Sequence, residues 1–218
     1  MLHSSLQGRI YGESQRVLHR PQRPNLRREK ILNETTTEAL AKKVMDWCDQ
    51  LAAISSHPEN ISRFYLTPEH KRCNELVAQW MQDAGMETWV DAAGNLCGRY
   101  DGKNPCAKTL ILASHLDSIP NAGAYDGILG VLVAIAVVEQ FYQNDITLPY
   151  AIDIIGFGDE EGTRFGSTLL GSRAVAGTWN PDWWKLKDRN GVSLQQAFID
   201  FADCIVYFFF SSGNTSQV

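Results

Sequence analysis

The run Ile152–Gly166, IDIIGFGDEEGTRFG, decides how the rest of the chain is read. Apolar residues of high β-propensity enter it, and three adjacent carboxylates, Asp159, Glu160 and Glu161, follow. A strand that leaves a core on concentrated negative charge ends where a cationic species can be held. A second run has the same form. KTLILAS, Lys108–Ser114, reads as a short, wholly apolar strand of the kind buried inside a sheet. It runs into His115-Leu116-Asp117, with Asp126 further on in YDG. In open α/β sheets the carboxyl ends of the strands form the crevice where ligands bind, so the two clusters are expected to meet at one edge.

The segments around these strands are helical or turn-forming. TTTEALAKKVMDWCDQLAAIS places Leu40, Val44, Trp47, Leu51 and Ile54 on one face at helical spacing. Thr67 and Pro68 are the N-cap and first residue of a second helix, which carries Leu76, Val77, Trp80 and Met81 and stops near Gly85. METWVDAAGNLCGRY reads as strand, turn at Gly94–Asn95, strand. ILGVLVAIAVVEQFY is an apolar helix of about four turns, too short to span a bilayer. FGSTLLGSRAVAG is a short helix or turn ending at Gly177. Strands alternating with helices predict an α/β fold, a mixed, mostly parallel sheet with helices on both faces.

Composition removes several function classes. With 44% hydrophobic residues in 218, the chain can build a sizeable core. A net charge of −5 argues against nucleic acid or an anionic membrane surface as partner. The five scattered cysteines form no CxxC pair, which fits a reducing, cytoplasmic setting.

The clustered residues point to metal chemistry. Carboxylates gathered in a crevice raise one another's pKa unless a cation offsets them, and a divalent metal does so directly. Imidazole with carboxylate is a natural donor set for zinc or manganese. Successive side chains of an extended segment point to opposite sides, so Glu160 and Glu161 need not share one task. Asp117, two residues after His115, can accept a hydrogen bond from the ring nitrogen that faces away from a metal.

SHLDSIPNAGAYDG together with GDEEGTRFGSTLLGSRAVAG resembles the di-metal amidohydrolases of the aminoacylase and carboxypeptidase clan. Within that clan it is most similar to the hydantoinase/carbamoylase branch, the allantoate amidohydrolases and N-carbamoyl-L-amino-acid hydrolases. LTPEHKRCNELVAQWMQDAGMETWVDAAGNLCGRY resembles that branch's lead-in, so the likeness covers Leu40 to about Phe201. It implies a zinc-peptidase-like catalytic domain with two divalent ions, zinc or manganese. His115 is then a ligand of one ion, Asp126 bridges both, and Glu161 holds the second. Glu160 becomes the general base toward the attacking water, and Asp117 orients His115. The implied substrate is a small ureido compound bearing a carboxylate, with allantoate favoured over N-carbamoyl amino acids; ammonia and carbon dioxide are released.

The resemblance is incomplete. The family's further histidine ligands lie downstream of the Glu-Glu pair, yet the histidines here are His3, His19, His57, His70 and His115. The family's lid, which carries its homodimer contacts, has no counterpart either. The expected organisation is a basic, disordered arm over 1–34, the N-terminal part of a catalytic domain over 35–203, and an apolar-then-polar tail over 204–218. That tail reads as a truncated or frame-shifted end, with Ile205–Phe210 of high β-propensity. Metal binding is expected to be weakened and the chain alone inactive. A peptidase or acylamino-acid hydrolase, and a non-catalytic fragment or pseudo-enzyme, are the competing readings.

Overall fold

A computed structural model describes residues 34–211. The basic arm lies outside the described residues except for Glu34, and so do residues 212–218. The elements run α1 (Glu34–Ala52), α2 (Pro68–Asp83), β1 (Glu87–Val90), β2 (Leu96–Tyr100), β3 (Thr109–His115), α3 (Ile128–Gln143), β4 (Ala151–Phe157), α4 (Leu170–Val175), a 3-10 turn (Pro181–Lys185) and α5 (Leu194–Ser211).

Local sequence explains most of these. The Thr67 hydroxyl accepts the N–H of His70, and Pro68, which lacks an N–H, opens α2. Gly94, at φ 73°, turns β1 back on β2 as an antiparallel hairpin. α3 is apolar nearly all round and buries Ile128, Val131, Leu132, Ile135 and Val138 against the sheet and α1. Fully buried Leu132 and Ile135 each contribute about 1.5–3 kcal/mol relative to exposure. On α1, Val44, Trp47 and Leu51 face this core, and Trp47 stacks on Trp80 of α2 with ring centroids 4.9 Å apart. Lys43 reaches from α1 to half-screened Glu139 of α3, 2.6 Å away.

The four strands form one mixed sheet in the order β1-β2-β4-β3. The mixed α/β class agrees with expectation, but parallel pairing is confined here to β3 with β4, while β1–β2 and β2–β4 are antiparallel. The hairpin makes β2 run against β1, and β4 lies antiparallel to β2 on its other side. The expectation for KTLILAS also needs correction. β3 has β4 on one side and no strand on the other among the described residues, so Leu110 and Ile111 are 45% and 53% exposed.

Coverage of the two faces differs from the expected two-sided layer. Ile152 and Ile154 of β4 enter the core under α1–α3, whereas Asp153 on the opposite face pairs with Arg99 at 3.0 Å, half-exposed. A second, smaller core forms beyond β4 from Tyr65, Leu66, Phe165, Leu170, Leu194, Ala197 and Phe201, with Trp179, Trp183 and Trp184 packed against it. α5 continues as helix through residues 205–210, where sequence alone suggested a β-prone tail; its contacts up to Phe201 hold it in this second core. Among the described residues no helix is long and apolar enough to cross a membrane.

Candidate metal centre

β3 and β4 are parallel and in register, with His115 opposite Phe157. Both strands therefore end at the same edge, and the segments leaving them meet there. Donor atoms of His115, Glu160 and Glu161 all lie within 4.8 Å of one another. Asp126, carried by the loop that enters α3, brings its Oδ1 to 3.8 Å from His115 Nε2. Glu160 Oε2 lies 4.0 Å from the same nitrogen. The four residues singled out as His115, Asp126, Glu160 and Glu161 are thus brought together.

The imidazole is held by Asp117, through its main-chain carbonyl. Its Nδ1 lies 3.0 Å from the main-chain carbonyl of Asp117, while the Asp117 carboxylate is 3.7 Å away. A carbonyl only accepts, so Nδ1 donates to it, and Nε2 faces Asp126 and Glu160. The Asp117 carboxylate instead accepts the N–H groups of Glu160 at 3.2 Å and Glu161 at 3.4 Å. It joins the two strand exits. Burial raises the Asp117 pKa, and those two N–H bonds oppose the rise by favouring the charged form.

Gly127 makes room for the ring. Its φ is 67°, and a Cβ there would fall 2.4 Å from His115 Cε1 and Nε2. The turn through the acidic triplet is similarly constrained, with Asp159 at φ 57° and Gly162 at φ 65°. The Asp159 main chain is held by an N–H bond from Leu169 to its carbonyl, 2.8 Å. Its side chain is fully buried, and neither carboxylate oxygen has a partner. Desolvation, then repulsion from Asp117, raises its pKa to about 8, so it is mostly protonated at neutral pH.

Three supports were not read from the sequence. Arg63, in the loop between α1 and α2, donates to the Leu116 carbonyl behind His115. Asn95, at the hairpin turn, accepts the Gly158 N–H at 3.0 Å and donates to the Gly171 carbonyl at 3.1 Å. It steadies β4 where it leaves the sheet, and Gly171 is glycine because a Cβ would meet Asn95 Oδ1 at 2.2 Å. Arg164, inside the EEGTRFG motif, donates to the Tyr65 and Leu66 carbonyls and to Asp188, anchoring the acidic turn to the second core. An arginine inside an apolar stretch, as in ISRFYL, was the available signal for Arg63.

The residues present fit a divalent cation. One imidazole and carboxylates from two chain segments converge on a small volume. The Glu161 pKa is raised, first by desolvation and then by Asp126 and Glu160, so the anionic cluster is strained without a positive charge. His57 and His70 do not join it: His57 is exposed, and His70 stacks on Phe201 in the second core.

Known proteins resemble this chain over much of its length. Peptidase family M28 matches residues 95–196. The N-carbamoyl-L-amino acid amidohydrolase of Geobacillus stearothermophilus is 40% identical over 149 residues, 68% of this chain and 36% of that protein. Allantoate deiminase of Arabidopsis thaliana is 37% identical over 160 residues, 71% of this chain and 30% of that protein. A hydantoinase/carbamoylase family amidase from Burkholderia ambifaria superposes with a TM-score of 0.70 at 33% identity, covering 74% of this chain and 40% of that one. The chain thus spans about a third of the length of the curated relatives it matches.

The fold is a mixed α/β sheet with helices packed against it, and the acidic cluster lies at the ends of its two parallel strands. In sequence and in structure the chain is similar to hydantoinase/carbamoylase family amidases and N-carbamoyl-L-amino acid amidohydrolases.

Proposed function

We propose that this chain is the N-terminal catalytic portion of a metal-dependent hydrolase of linear ureido C–N bonds, with allantoate as substrate ahead of N-carbamoyl-L-amino acids. The observation that carries the reading is the convergence of His115, Glu160 and Glu161, flanked by Asp126, at the ends of two parallel strands. The unpaired Cys48, Cys73, Cys97 and Cys106 are consistent with a cytoplasmic setting.

Two divalent ions, zinc or manganese, would be held by His115, Asp126 and Glu161; bound there, they supply Lewis acidity toward the ureido carbonyl and toward water. Glu160 takes the proton from the attacking water and passes it to the departing nitrogen. His115 presents Nε2 because its Nδ1 proton is engaged by the Asp117 carbonyl. Asp117 keeps the main chain of Glu160 and Glu161 in register with His115. One imidazole reaches the cluster from the described residues, so this chain by itself binds metal weakly and turns over ureido substrates little or not at all.

Purified chain is titrated with Mn²⁺ or Zn²⁺ by calorimetry and assayed for ammonia release from allantoate and from an N-carbamoyl amino acid. Glu161→Ala should lose most of the measurable metal binding, while Glu160→Ala keeps it. Equal losses in both would refute the division between ligand and base. Robust turnover by the unsupplemented chain would refute its predicted inactivity. A non-catalytic metal-binding chain is the second reading, favoured by the single imidazole; ammonia release by a longer form carrying further imidazoles decides against it.

A further inference from the structure

Arg63 is 2% exposed, and among the described residues no carboxylate lies within ion-pair distance of it. A guanidinium buried without an anion is costly, and its donors must be satisfied in another way. Its Nε and Nη1 donors go to main-chain carbonyls. Nε donates to Leu116 at 2.7 Å, and Nη1 donates to Leu51 at 2.9 Å and Ile54 at 3.1 Å. The last two carbonyls belong to the C-terminal end of α1 and the residues just after it, where the helix leaves unsatisfied acceptors and partial negative charge.

The main chain of Arg63 makes a second set of contacts. Its N–H donates to Ser118 Oγ, and its carbonyl accepts the Ser118 N–H, both at 2.9 Å. Leu116 and Ser118, the residues on either side of Asp117, are therefore both tied to Arg63. Asp117 in turn holds the N–H groups of Glu160 and Glu161 and, through its carbonyl, the ring of His115. Hydrogen bonds and the short segment 116–118 thus link the end of α1 to the main chain of Glu160 and Glu161 and to the ring of His115.

We propose that Arg63 is a positioning residue for the cation site: by fixing Leu116 and Ser118 it sets Asp117, and through Asp117 the main chain of Glu160 and Glu161 and the ring of His115. The role in metal binding rests on the reading of that cluster as a cation site. A leucine or methionine would fill the space at lower desolvation cost, so packing alone gives no reason for a guanidinium here. The fan of donors, reaching two elements at once, does.

The test uses the full 218-residue chain, ¹⁵N-labelled, with Arg63→Met, Arg63→Lys and the milder Ser118→Ala. The first readout needs no metal: the amide resonances of Glu160 and Glu161 and the ring ¹⁵N shifts of His115. The second is a Co²⁺ titration followed by visible absorption, at temperatures well below each variant's melting. Arg63→Met should move the Glu160 and Glu161 amides and weaken Co²⁺ binding by about tenfold or more, the scale on which supports behind metal ligands act. Arg63→Lys, which keeps one donor for Leu116, should recover part of both effects. If Arg63→Met fails to fold, Ser118→Ala carries the same two readouts with a smaller expected change. Variants that only melt earlier, with resonances and Co²⁺ spectra like the parent's, overturn the proposal. Parent chain that takes up no Co²⁺ removes the cation-site reading, and unmoved Glu160 and Glu161 amides then overturn the positioning role independently.

Discussion

Acidification should destabilise this protein through one histidine. His70 of α2 is fully buried; its Nδ1 accepts the Leu66 N–H at 3.3 Å, so the proton sits on Nε2, which has no partner. The ring stacks on Phe201, and Tyr65 lies tilted against it. Desolvation, then the charges of Arg63 and Arg164, lowers its pKa from 6.5 to about 3. The folded state therefore keeps His70 neutral while the unfolded chain protonates it as pH falls through 6.5. Stability from this group is complete above pH 6.5 and is lost progressively toward pH 3. The slope within that window approaches about 1.4 kcal/mol per pH unit. Between pH 7.5 and pH 5 the loss is about 2 kcal/mol. Urea unfolding of the parent and of His70→Asn, whose amide oxygen replaces the Nδ1 acceptor, is measured at both pH values. Carboxylate contributions common to both proteins cancel in the difference. The parent should lose about 2 kcal/mol relative to the variant. Parallel pH dependence in the two would refute a neutral, proton-excluded His70.

Other perturbations have equally defined outcomes. Gly127→Ala sets a Cβ 2.4 Å from the His115 ring at a positive φ, so it should cost about 1–3 kcal/mol in thermal unfolding and weaken Mn²⁺ binding by calorimetry. Asn95→Ala leaves the buried Gly158 N–H and Gly171 carbonyl without their side-chain partner and should cost about 3 kcal/mol by urea unfolding. Glu139→Gln removes the charge that pairs with Lys43 and should cost about 1–2 kcal/mol, with the difference shrinking when salt is raised.

Those parts of the molecule governed by neighbours in sequence were legible in advance. The Thr67–Pro68 start of α2, the hairpin at Gly94 and the apolar α3 each follow from residues within a few positions of one another. The convergence of His115 with Glu160 and Glu161 was legible because parallel strands share an end. Strand order was not. Nothing in KTLILAS distinguishes a central strand from an edge one, since that depends on which partners lie beside it. Arg63, Asn95 and Arg164 escaped for the same reason: their decisive contacts lie 53, 63 and 99 residues away. The two N–H groups that the Asp117 carboxylate accepts come from another strand exit, 43 and 44 residues away, which sequence spacing does not reveal.

β3 ends at His115, and its outer side presents main-chain donors and acceptors beside the exposed Leu110 and Ile111. Such an edge is a template for strand addition. Protein concentration therefore becomes a chemical variable for this chain. Strand addition along β3 would show as light scattering that rises with protein concentration.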